Sequence, residues 1–166
     1  MRTKTPEPGW IGLSTIGGWT GFWIKIGQVL INDGSRYTHA FVVVDDEFVL
    51  EAAPGGTKFV PLSKYLGKSP FIETGNFDQI DVQFVAHDLQ GVPYSFLDYL
   101  ALALAHFGIR PKFLTNYIKN TGHMICSQFA DEFMLRLDKH MFDDGRMSQD
   151  VSPGDLANVE LERGWI

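Results

Sequence analysis

Cys126 is the chain's only cysteine, and it stands in the string HMICSQFADEFM, at the first turn of what reads as an amphipathic helix. Unpaired backbone N–H groups and the positive end of a helix dipole favour negative charge there, which is what a sulfur nucleophile needs. A lone cysteine closes no intramolecular disulfide, so packing and reactivity are the readings left. Reactivity requires a base within hydrogen-bond reach and a third group that orients the base. Five histidines compete for the first role: His39, His87, His106, His123 and His140. His106 and His140 fall near the C-terminal ends of expected helices, where a cation complements the dipole. His87 comes late in an element of undecided type, and His123 is too near Cys126 in sequence for an obvious facing geometry. His39 lies inside the best strand of the chain, where a polar ring interrupts the apolar run of THAFVVV. Taken singly, a strand histidine is more often a hydrogen-bonded core or edge residue, and a helix cysteine more often a small hydrophobe.

Glu51 supplies the third group on one condition. If the hairpin loop is the three residues Asp45–Glu47, Val44 faces Phe48 and Phe41 faces Glu51. Glu51 then shares a face with His39, one diagonal step away. A carboxylate there holds the imidazole in one tautomer and favours its charged form. A two-residue loop instead turns Glu51 to the opposite face. The alternative for Glu51 is a strand-edge carboxylate facing water.

The elements that must position these residues are legible in outline. A short strand and then a helix over about residues 20–31 are expected before the turn signal NDGS. Residues 37–44 (YTHAFVVV) and FVLEAA form a hairpin around the polar DDE, and PGG breaks the chain before TKFVPL, a third strand. PLSKYL begins a short helical turn. Over residues 76–89, Ile80, Phe84 and Val85 fit helical spacing, though a strand also accommodates them. Residues 95–107 (SFLDYLALALAHF) read as a buried helix capped by Ser95, with Gly108 and Pro111 stopping it. A shorter helix follows over 112–120, the cysteine helix runs to about Lys139, and VSPGDLANV gives a turn and a closing helix or strand. Strands first and helices second is an α+β pattern, an antiparallel sheet packed on a helical half.

Composition bounds the rest. The chain's 166 residues suit one domain over 10–166, behind a loose leader over 1–9 in which prolines block regular structure. A formal charge of −6, with no Lys/Arg run, argues against a nucleic-acid partner. No apolar stretch approaches the roughly eighteen residues of a transmembrane helix, and the N-terminus has no apolar core of a secretory signal. Synthesis in the cytoplasm is the expectation, compatible with later release by lysis or with a place in a virion. One cysteine and scattered histidines show no metal-ligand spacing, so neither metal nor cofactor is expected.

The order His39, Glu51, then Cys126 on a helix, with GVPYSFLDYL between, resembles the circularly permuted branch of the NlpC-type papain-like cysteine peptidases, the YiiX-like proteins. In ordinary papain-like enzymes the cysteine helix precedes the histidine strand; in this branch the histidine hairpin comes first. The resemblance spans roughly Ile11 to Leu156. RYTHAFVVV looks like the family's histidine strand, with Thr38 in its serine or threonine position. EAAPGG looks like the segment with the third polar residue, Glu51. PYSFLDYL resembles the proline–tyrosine helix opening, which makes Tyr94 a candidate for substrate contact or oxyanion support. MICSQFADEF looks like the nucleophile helix, with Ser127 as the small hydroxyl residue after Cys126. Two departures stand out. The opening glycine–aspartate pair is represented only by GWIGLSTIGG. The asparagine–cysteine–glutamate–histidine motif of the related lecithin:retinol-acyltransferase group is absent, since Ile125 precedes Cys126 and Ser127 and Gln128 follow it.

The resemblance implies a papain-like fold and a thiol hydrolase that cleaves an amide or peptide bond. Cys126 is the nucleophile, His39 the base and Glu51 the orienter, with Thr38, Tyr94 and Ser127 nearest the substrate. Peptidoglycan stem peptides are the commonest substrates of the wider family. Acyl transfer or lipid-ester cleavage on the same fold is the second reading, and a degenerate module that binds or supports without catalysis is the third.

Overall fold

The computed structural model of the chain describes residues 5–15, 36–53, 55–93, 126–139, 141–148, 151 and 153–163. The helices expected over 20–31, 95–107 and 112–120 lie outside them, as do Tyr94, His106, His123 and His140. The described elements are β1 (Ile11–Ser14), β2 (His39–Val43), β3 (Phe48–Ala53), β4 (Gly56–Pro61), a 3-10 turn (Leu62–Lys64), β5 (Phe71–Ile72), α1 (Gln79–Leu89), α2 (Cys126–Arg136) and α3 (Pro153–Arg163). The strands form one antiparallel sheet in the order β4-β3-β2-β1-β5, so the protein is α+β. Among the described residues no helix is long and apolar enough to cross a membrane.

The β2–β3 hairpin has the three-residue loop. Asp45 folds its side chain over the tip, where Oδ1 accepts from the backbone N–H of Glu47 at 2.9 Å and of Phe48 at 2.7 Å. An aspartate that bonds its own backbone in this way closes a turn of fixed length. The register that follows sets Phe41 opposite Glu51, Val42 opposite Leu50 and Val43 opposite Val49. Hydrophobicity alone would not choose this pairing, because Val49, Leu50 and Ala52 are all buried and supply both faces.

Each face of the sheet has its own core. Ala40, Val42, Leu50 and Ala52, with Ile11 and Leu13, pack against α1, α2 and α3. The alternate residues Phe41, Val43 and Val49 pack on the other side with Trp10, Leu62 and Tyr65. Gly12 matters to this second core because it pairs with Phe41. A Cβ on Gly12 would come 2.2 Å from the Phe41 ring, so the ring lies where any side chain would. Phe41 then stacks on Tyr65, with centroids 3.8 Å apart and an interplanar angle of 20°.

Several expectations are corrected at this level. Gly9, the last residue of the expected leader, is fastened to the sheet: its N–H donates to the Val43 carbonyl at 2.8 Å, and Thr74 Oγ1 donates to its carbonyl at 2.8 Å. The undecided element after Asn76 is a helix, with Asp78 as N-cap accepting from the Ile80 N–H at 2.7 Å. Its buried stripe is Val82, Val85, Ala86 and Leu89, three and four residues apart, whereas Ile80 and Phe84 face outward at 75% exposure each. The cysteine helix ends at Arg136, short of Lys139. Asp138 adopts the left-handed conformation (φ 58°), and the Lys139 N–H bonds the Met134 carbonyl across the end at 2.9 Å, a Schellman closure. The closing segment is a helix that starts with Pro153 in its first position. Strand β5 had no sequence signal, being two residues that extend the sheet beside β1.

Candidate active site

His39 opens β2, and strand alternation gives it the Phe41 and Tyr65 face. The hairpin register brings Glu51 to the same face, one diagonal step along. The two side chains meet, with Nε2 of His39 3.3 Å from Oε2 of Glu51. Both are sealed, at 2% and 3% exposure. An ionised carboxylate only accepts, so Nε2 carries the proton and Nδ1 is the atom left to act as base. Nδ1 is buried and has no hydrogen-bond partner among the described residues.

Cys126 enters from the other side. It is the first residue of α2, which packs on β2 and β3, and its thiol points at the backbone carbonyl of Thr38, 3.8 Å away. The thiol and the imidazole therefore meet where β2 begins, next to one peptide unit. Burial alone would push the His39 imidazole down. The neighbouring Cys126 and Glu51, Cys126 first, outweigh that and raise it from 6.5 to about 9.

Glu51 gathers more donors than its sequence context announced. Tyr65 donates its phenolic hydroxyl to Oε2, the atom that His39 also bonds. Lys64 reaches Oε2 at 3.1 Å and Oε1 at 3.3 Å, and Lys58 lies 3.8 Å from Oε1. Burial would raise the carboxyl. The hydrogen bonds from His39 and Tyr65, the imidazolium charge and Lys64 overcome it, and Glu51 is lowered from 4.5 to about 2. The Tyr65 phenol moves up, through burial first and then through its bond to a charged neighbour.

Lys58 could have been read from the chain. It stands directly opposite Glu51 in the β3–β4 hairpin, and opposite charges on facing strand positions are a recognised pair. Tyr65 could not. Its place depends on the 3-10 turn after β4 folding back under the sheet, with buried Leu62 as anchor.

The remaining expected site residues divide differently. Thr38 is wholly buried, and the contact it makes with the thiol comes from its backbone. Ser127 is also wholly buried, and its hydroxyl donates to the Val151 carbonyl at 2.7 Å, tying α2 to the segment before α3. Neither side chain offers exposed surface to a substrate. Tyr94 lies outside the described residues. His87, a rejected candidate, is exposed on α1 and packs its ring on Phe59 at 5.2 Å.

A cleft of about 570 Å³ opens against the carboxylate network. Its described walls include His39, Glu51, Tyr65, Tyr37, Lys64 and Lys68. Cys126, at 0% exposure, is absent from those walls. The cleft thus reaches the imidazole and carboxylate from the Tyr65 side, while the sulfur lies behind them. Among the described residues there is no group of three or more His, Cys, Asp or Glu side chains placed to hold a metal ion. No protein-family model matches the chain, and no curated protein matches it either.

Proposed function

We propose that the chain is a cysteine hydrolase of permuted papain-like design, in which Cys126, His39 and Glu51 cleave an amide or peptide bond. The observation that carries this reading is the sealed His39–Glu51 pair at 3.3 Å, set beside a thiol on the first residue of a helix. A buried imidazole needs no carboxylate at this geometry merely to pack. The arrangement does have the polarity a thiol hydrolase needs, with Nε2 held by Glu51 and Nδ1 left as the base.

The chemistry follows from those positions. Nδ1 of His39 takes the thiol proton before the attack, and the sulfur then adds to the carbonyl carbon as the thiolate partner of the imidazolium. The Cys126 backbone N–H, at the helix start, donates to the oxyanion that forms. The imidazolium then gives its proton to the leaving amine, the C–N bond breaks, and a thioester remains on Cys126. Water, deprotonated by the same imidazole, adds to the thioester and releases the acid and the thiol. Glu51 keeps one tautomer throughout and stabilises the imidazolium between the two transfers. Peptidoglycan stem peptides are the first substrates to offer, and acyl esters the second.

One observation favours a different reading. The thiol has no exposed surface, which suits a packed cysteine in a module that binds or supports without turning over substrate. Iodoacetamide separates the two. In the enzyme, Cys126 labels quickly at mildly acidic to neutral pH and slows by about 10-fold or more in His39→Ala. Labelling as slow as a sealed thiol and indifferent to His39 would refute the hydrolase. Zymography on peptidoglycan, set against an acyl-ester assay, then divides the substrate classes.

A further inference from the structure

We propose that Tyr65 is a positioning residue of this site, holding the Glu51 carboxylate inward on His39 against the outward pull of Lys58 and Lys64. The inference rests on the hydrolase reading and extends it to a residue that never touches the reacting atoms. Glu51 stands between two sets of donors. His39 and Tyr65 are buried, and both bond Oε2. The ammonium groups of Lys58 and Lys64 sit on side chains exposed at 57% and 51%; Lys58 approaches Oε1 at 3.8 Å, and Lys64 bridges Oε1 at 3.3 Å and Oε2 at 3.1 Å. Two cations on exposed side chains favour any rotamer that turns the carboxylate to solvent, where it is better hydrated. A tilt of that kind would strip His39 of its partner.

Tyr65 is built to resist the tilt. Its ring is clamped by stacking on Phe41, and Phe41 is in turn pressed onto Gly12, where no Cβ intervenes. The phenol consequently has little freedom, and its hydroxyl reaches the same oxygen as the imidazole. Tyr65 and His39 select between them the one carboxylate orientation that serves the base. A lysine could neutralise Glu51 equally well, but it would not fix where the carboxylate points. The lowered carboxyl of Glu51 and the raised imidazole of His39 accord with a pair held in register.

The test is Tyr65→Phe, which removes the hydroxyl and keeps the ring stacked on Phe41. His39 is titrated by NMR through its imidazole C–H resonances, and Cys126 alkylation by iodoacetamide is followed over the same pH range. The His39 midpoint is expected to fall by about one unit, the equivalent of one hydrogen bond to a charged group. The alkylation profile should move with it. In a Glu51→Gln background Tyr65→Phe should add nothing, since its influence passes through the carboxylate. A midpoint that stays or rises overturns the positioning role, as does an equal shift in the Glu51→Gln background. A midpoint that falls while alkylation ignores it leaves the positioning role intact and overturns the hydrolase reading.

Discussion

Replacing Glu51 by Gln removes the carboxylate charge that faces His39 in the sealed pair. In the folded chain His39 is raised from 6.5 to about 9, despite burial that works in the opposite direction. That shift corresponds to about 3 kcal/mol between the two protonation states, shared between the thiol and the carboxylate. Cys126 holds the larger share and Glu51 the smaller, about 1 kcal/mol. A group whose folded pKa is raised stabilises the fold fully below its unfolded value and loses that stabilisation as pH climbs through the folded value. The His39 contribution is therefore complete below 6.5 and fades as pH passes about 9. Glu51 has the opposite sign: its contribution is complete above 4.5 and disappears as pH falls through about 2. The plateau common to both lies between 4.5 and 6.5. Urea unfolding of wild type and Glu51→Gln near pH 5.5 and near pH 10 reads the difference directly. The variant should be less stable by about 1 kcal/mol more at the acid pH than at the alkaline pH. Titration of groups remote from Glu51 cancels between the two proteins. A penalty that is the same at both pH values would mean that Glu51 does not charge His39, and the reasoning behind the site would fail with it.

Three further outcomes follow from packing. Gly12→Ala should destabilise the fold by about 1–3 kcal/mol, measured by thermal unfolding, because the new methyl overlaps a sealed Phe41 ring. The same variant should lower the His39 midpoint, since displacing Phe41 displaces the Tyr65 ring stacked on it. Thr57→Val should cost about 1–3 kcal/mol in urea unfolding. Thr57 Oγ1 donates to the Leu89 carbonyl and accepts from the Val92 N–H at 2.9 Å, so the buried hydroxyl clamps the end of α1 to β4.

How much of this could be read from the chain depends on how local each determinant was. The β2–β3 hairpin was legible because its signals are contiguous: β-branched runs on either side of an acidic tip. With a three-residue loop assumed, simple alternation placed Glu51 opposite Phe41 and beside His39, as the structure has it. Helix α1 was ambiguous because Ile80, Phe84 and Val85 mix its buried and exposed sides, and a burial stripe is set by what the helix packs against. Strand β5 was invisible since two residues carry no period. Ser127 and Thr38 were placed near substrate by motif position alone. Whether a hydroxyl at such a position faces a cleft or a neighbouring backbone is decided by elements far away in sequence. Tyr65 escaped for the same reason, being brought to Glu51 by a turn whose direction no local pattern encodes.

The aspartate-closed tip of the β2–β3 hairpin makes chain length itself a functional variable. Deleting one residue from Asp45–Glu47 would leave His39, Glu51 and Cys126 all in the polypeptide. Strand β3 could re-pair one step along with little apolar loss, because Val49 and Leu50 would merely exchange faces. Glu51 would then point into the helical core, and the imidazole would face an alanine or a leucine. The three residues at that tip thus work as a counting device: their number, more than their chemistry, decides whether the histidine meets a carboxylate.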